Sequence, residues 1–202
     1  MAHKFFLCVS ALLLAGCKAQ QPGVQASTLA QSDPPVVDAG ISIERAYEAI
    51  PHRRTVWSPE ASSVPAAEKT YLRTMFQVLD EGVAVRVAGQ QNYASGHMEY
   101  MDPVEQYGQL LTLARSMKVP PTLASYHQHI LTALEGQQQY FADWRAQGDQ
   151  FQFAQQIGNH PGVLKASAHL RAAYAELTAK YPNEAAANKD AFFDYHCALD
   201  FM

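Results

Sequence analysis

An all-α fold, an up-and-down bundle of four to five principal helices, is what this 202-residue sequence predicts. Three observations carry that reading. Apolar residues recur at spacings of three and four over long stretches, the period of one helix face. Alternation at period two is confined to Phe151 and Phe153. The connections "KVPP" and "YPN" are short, which makes the helices on either side antiparallel neighbours.

The elements follow in order. Ser42 is placed to cap a short helix, Ile43 to Ile50, with Ile43, Ala46, Tyr47 and Ile50 on one face and Pro51 as its stop. An irregular connection, "PHRRTVWSPEASSVP", leads into a long helix from Pro65 to about Ala94. Along it Tyr71, Met75, Val78, Gly82, Val85 and Gly89 share a stripe, with a second apolar row beside them. So broad a face suits packing against two neighbours. Gly82 and Gly89 each weaken the helix by about 1 kcal/mol relative to Ala, and their common stripe points to close approach by another helix. Asp102-Pro103-Val104-Glu105 is a helix start: Asp as cap, Pro at the first position, Glu where it faces back toward the cap. Val104, Tyr107, Leu111, Ala114 and Met117 line that helix until Pro120. Thr122 to Gln147 forms the next, with Leu123, Ile130, Leu134, Phe141 and Trp144 inward and Gly148 as its end. The loop "GDQFQFAQQIGNHPG" follows. Gly162 to Lys180 then carries Val163, Ser167, Leu170, Tyr174 and Leu177 at heptad spacing, and a last helix runs from Glu184 to about Phe201.

Ahead of these helices lies a different kind of sequence. Lys4 precedes an apolar block, Phe5 to Ala15, too short for the roughly 20 residues that a spanning helix needs. A positive start and a short apolar run form an export signal. This one ends Leu14-Ala15-Gly16-Cys17, which resembles the lipobox of bacterial lipoproteins. The resemblance covers the first 17 residues. It implies a signal peptide at 1–16, diacylglycerol joined to Cys17 through a thioether, and acylation of the amine freed by cleavage. Several chains matter because one acyl chain holds a protein only marginally. Lys18 stands where lipoproteins kept in the inner membrane often carry Asp, so the resemblance places the anchor in the outer membrane, facing the periplasm. Residues 17–41, rich in Gln, Ser, Pro, Gly and Ala and free of aromatics, read as a flexible tether. The helical domain is expected to occupy 42–202.

Composition narrows the function. Without residues 1–16 the chain holds 14 basic and 19 acidic residues, a formal net charge of −5. No clustered basic stripe suits a phosphate backbone, so nucleic acid is not an expected partner. With Cys8 in the signal and Cys17 lipidated, Cys197 alone remains, and an intramolecular disulfide is impossible.

Four local patterns invite a functional reading. "PHRRTVW" gathers Arg53, Arg54 and Trp57, the composition of a partner-binding surface; its plainer reading is a solvated loop whose cations favour a helix C-terminus. "YHQHI" offers His127 and His129, but helical residues two apart point about 200° from each other and cannot share an ion. His127 or His196 are the candidates for a metal or a non-covalent haem between helices, whereas His169 reads as solvated and His160 as a helix cap. His196 beside Cys197 looks like a dyad in print, yet neighbours on a helix diverge by about 100°; Cys197 reads as a packed thiol and Asp200 as a hydrogen-bond partner for His196. The expected function is a lipid-anchored envelope protein whose helical domain binds membrane lipid through the anchor and an envelope partner through its surface, without catalysis and with no cofactor beyond the lipid on Cys17. The alternative is a periplasm-facing bundle that carries or senses a metal or haem.

Overall fold

The computed structural model describes residues 37–97, 99–148 and 157–201. The signal, Cys17 and the tether up to residue 36 lie outside them, as do residues 149–156 of the long loop. Among the described residues 73 % are helical and none is in a strand, so the fold is all-α. The helices are α1 (Ile43–Glu48), α2 (Ala66–Ala94), α3 (Pro103–Ser116), α4 (Ala124–Gln147), α5 (Pro161–Lys180) and α6 (Ala186–Leu199), with single 3-10 turns at Pro121–Leu123 and Ile157–Asn159.

The starts are written in cap chemistry. Ser42 Oγ accepts the Arg45 N–H at 3.2 Å, and Asp102 accepts that of Val104 at 3.0 Å, with Pro103 in the first helical position. His160 caps α5 through Nδ1, which accepts the Gly162 N–H. Gly148, at φ +54, ends α4. The last helix is two residues shorter at each end than its sequence pattern. Glu184 is held out of it by hydrogen bonds from Ser62 and Ser63, and Asp200 has an extended backbone.

Helices α2 to α6 form a closed ring of neighbours, each packed on the next, with α6 returning to α2. Successive helices are antiparallel. Asp102 meets Arg145 at one end of the α3–α4 pair while Arg115 meets Glu135 further along. Ser167 and Tyr174 of α5 meet Asp200 and Phe193 of α6. Five alternating helices leave the first and last pointing the same way: Phe76 stacks on Tyr195 at 4.5 Å, and Arg86, further along α2, reaches the Ala198 carbonyl.

Glycines set the closest approaches. A methyl on Gly89 would lie 2.9 Å from Phe141 and Pro103, and one on Gly82 would lie 3.0 Å from Leu199, the approach their stripe anticipates. A tighter crossing joins α4 to α5. A methyl on Gly136 would sit 2.4 Å from the Gly162 carbonyl oxygen, and one on Gly162 would sit 2.5 Å from that of Gly136. Here backbone packs on backbone.

The centre of α2 is buried all round, from Val78 to Gly89, although it carries Asp80, Glu81 and Arg86. Its outer side is covered by the chain from residue 37 to 65, including α1, which lies across it as a strap. The fold therefore starts before residue 42: Val37 and Ala39 are buried, and the Val37 N–H donates to Glu81.

Candidate functional site

The strap is fastened by polar side chains of α2, of α6 and of the turn before α6. Asp80 on α2 receives Nε and Nη2 of Arg54, at 3.2 and 2.6 Å, and the Tyr47 hydroxyl at 2.9 Å. Burial raises the Asp80 carboxyl, and Arg54 and Tyr47 pull it back. Glu44 takes the other side of Arg54 at 3.3 Å. Further along, Asn188 of α6 exchanges two hydrogen bonds with the Ser58 backbone, and Glu184 accepts from Ser62 and Ser63. Trp57 is 4 % exposed, its ring set edge-on against Phe76.

This geometry divides the Arg–Trp cluster that the sequence suggested as a binding surface. Arg54 and Trp57 face the bundle: the guanidinium satisfies a buried carboxylate, and the indole fills the core between strap and α2. Arg53 alone stays at the surface, its side chain 72 % exposed and loosely paired with Asp190 and Asp194 of α6 at 3.7 and 3.6 Å. Those two acids flank Phe193, a ring left 48 % exposed. His52 lies on the same side of α6, with Nδ1 3.7 Å from Cys197 Sγ. Burial, together with Asp200 and Asp194, raises the Cys197 thiol. That shift is opposite to the lowering that activates a cysteine.

The histidines separate along the bundle. His127 is taken by Tyr71, whose hydroxyl shares a hydrogen bond with Nδ1 at 3.0 Å, and burial lowers the imidazole. His196 is 3 % exposed, with Nδ1 2.5 Å from the Phe192 carbonyl, to which it donates. The expected Asp200 partner is engaged elsewhere, accepting from Ser167 at 2.7 Å. Rings of Tyr126 and Tyr174 close on His196, at 5.7 and 6.4 Å, and Nε2 has no partner among the described residues. His169 is not free in solvent. Its Nδ1 lies 2.8 Å from Nδ1 of His129, across the α4–α5 interface. Among the described residues no three His, Cys, Asp or Glu side chains converge as a metal cage.

One end of α6 is finished inside the protein. Arg86 donates to the Ala198 carbonyl at 2.8 Å, and Gln137 donates to that of Leu199 at 2.5 Å. These are orphan carbonyls at the negative end of a helix dipole, where a buried cation is welcome. Tyr107 ties Gln137 to the Gly82 carbonyl. At the opposite end of the bundle Glu68 accepts from Thr122 and from Tyr181 and lies 3.4 Å from Lys180. Burial pushes the Glu68 carboxyl up, but these partners outweigh it and leave it below the ordinary value.

The chain matches no protein-family model, no curated protein and no solved structure. Its function is therefore argued from its own residues. What sequence reasoning missed had a partial signal. Asp80, Glu81 and Arg86 interrupt the apolar middle of α2, which demands partners from outside that helix. The encounter of His52 with Cys197, 145 residues apart, had none.

Proposed function

We propose that this chain is a lipid-anchored bacterial envelope protein, held by acyl chains on Cys17 in the outer membrane and facing the periplasm, whose helical domain is a non-catalytic interaction module. The observation that carries the reading is Leu14-Ala15-Gly16-Cys17 directly after a short, positively led apolar block. Two features of the domain support it. No described helix is long and apolar enough to cross a membrane, so membrane attachment would fall to the lipid. The strap is pinned to α2 at Val37, about 20 residues after Cys17. A tether of the kind the sequence predicts would reach about 25 Å on average, which would hold the bundle clear of head groups.

The partner-facing surface in this reading is the outer side of α6, where exposed Phe193 shares the helix with Asp190 and Asp194, the acids that hold Arg53, an apolar ring with a charged rim. Replacing Arg54 would not test it, because loss of Arg54 disturbs the fold through Asp80. Arg53→Ala combined with Phe193→Ser is the informative variant. Recovery of a cross-linked envelope partner should fall with this variant while the helical signal stays intact, and unchanged recovery would remove α6 from the proposal.

Fractionation tests the anchor. The parent protein is expected with the membranes and Cys17→Ser with the soluble fraction. A parent found in the soluble fraction, or a Cys17→Ser protein still with the membranes, would overturn the reading. The alternative, a periplasm-facing bundle that carries or senses a metal or haem through His127 or His196, gains no support at those residues, since Tyr71 occupies the first and aromatic rings enclose the second.

A further inference from the structure

The Gly136–Gly162 crossing fixes the spacing of α4 and α5 with no side chain between them. His129 lies seven residues before Gly136, and His169 lies seven after Gly162. In an antiparallel pair these two steps end at the same level, about 10 Å from the crossing. There the two Nδ1 atoms stand 2.8 Å apart, and both residues are half-buried. Small residues surround them on the helices: Ser125 and Ala133 one turn to either side of His129, Ala166 and Ala173 beside His169.

That spacing has a meaning in coordination chemistry. With metal–nitrogen bonds of about 2.0 Å, nitrogens about 2.8 Å apart subtend about 90° at the ion, whereas tetrahedral zinc would want about 3.3 Å. Right-angle neighbours belong to the tetragonal sites of Cu(II) and Ni(II), and the affinity order of divalent ions puts Cu(II) first. We propose that His129 and His169 form a two-histidine chelate for a tetragonal divalent ion, Cu(II) foremost, bridging α4 and α5. This stands apart from the anchoring proposal.

On binding, the hydrogen bond between the rings is exchanged for two metal bonds. Each ring swings about 45° off the line joining the nitrogens so that both lone pairs meet at one point. Both imidazoles bind neutral, with the ring proton on Nε2, so a neutral pair releases none. No third protein ligand stands with them among the described residues, and water fills the remaining positions. The backbone crossing supplies preorganisation, which makes attachment of the second imidazole intramolecular. Lys165, one turn from His169, works against it by repelling a cation.

The test is titration of the full chain, purified in detergent, with copper(II) chloride, followed by electron paramagnetic resonance. A His3→Ala background is used throughout, so that any chain keeping residues 1–16 has no amino-terminal copper chelate built on His3. One Cu(II) per chain is expected, with hyperfine splitting from two nitrogens. His129→Gln and His169→Gln should each weaken binding about tenfold or more, and the double variant should lose little beyond either. Lys165→Gln should tighten binding, and His97→Gln, at an exposed position beside Glu99, should leave it unchanged. Zinc should bind more weakly than copper. Circular dichroism is the control that every variant is folded. The proposal is overturned if folded single variants bind as the parent does, if their losses add as for two independent imidazoles, or if the spectrum shows a single nitrogen.

Discussion

His196 makes stability depend on pH. Its pKa is lowered from 6.5 to about 4, chiefly because burial excludes the charged ring, while the hydrogen bond to Phe192 partly offsets this. The unfolded chain takes up this proton below pH 6.5, whereas the folded chain refuses it until about pH 4. Stability is therefore complete above pH 6.5 and falls as pH drops through that window, by about 3 kcal/mol in full. Urea unfolding at pH 7.5 and at pH 5 is expected to show this fall in the parent and a smaller one in His196→Gln. His127 and His169 also sit below their ordinary value and contribute in the same direction, so the difference between parent and variant isolates His196. Equal pH dependence in the two proteins would mean that His196 is charged when folded. The neighbouring arginines separate in the same way. Arg54→Ala strands Asp80, a carboxylate only 4 % exposed, and should cost about 2–3 kcal/mol, less than a fully enclosed pair because Arg54 keeps partial contact with solvent. Arg53→Ala removes an exposed pair with Asp190 and a loose one with the largely buried Asp194, and because the guanidinium is 72 % exposed and 3.6 Å or more from either acid, the loss should be about 1 kcal/mol or less. Denaturant midpoints measured side by side decide this, and equal losses would contradict it.

At the scale of a helix, the α4–α5 contact offers a test that local propensity would misjudge. Alanine is the better helix former by about 1 kcal/mol, so Gly→Ala in an exposed helix should stabilise. Gly136→Ala instead drives a methyl into a backbone carbonyl that cannot move without separating the two helices. A loss of about 2–3 kcal/mol is expected, as for an overpacked core. Gly108→Ala meets only the flexible end of Gln138, at 3.3 Å, and should be neutral or mildly stabilising. Thermal unfolding of both variants checks the pair, and a stabilised Gly136→Ala would mean that α4 and α5 lie further apart. Leu170→Asp, in the same interface at a position 1 % exposed, should cost several kcal/mol by burying a charge without a partner.

Across the whole molecule, what was legible in the sequence was what neighbouring residues determine together. Ser42, Asp102-Pro103 and Gly148 mark helix ends through their own backbone chemistry, and the apolar stripes name the buried faces, so the all-α bundle follows from them. Encounters between distant segments were not legible. The loop 51–65 has no periodicity, and its use as a strap depends on Asp80 of α2, Asn188 of α6 and Glu184 in the turn before α6. For that reason Arg54 and Trp57 looked like surface groups until the fold supplied their partners. His129 and His169 show the middle case: each is ordinary in its own helix, and only their equal heptad offsets from two glycines give the pairing away.

The proposal that sets all of this beside a bilayer rests on residue 17, and the mass of the mature protein's amino-terminal peptide tests it most directly. A peptide starting at Cys17 and heavier by a diacylglyceryl group and an amide-linked acyl chain is expected. A free Cys17 thiol, or a mature chain starting at any other residue, would contradict it.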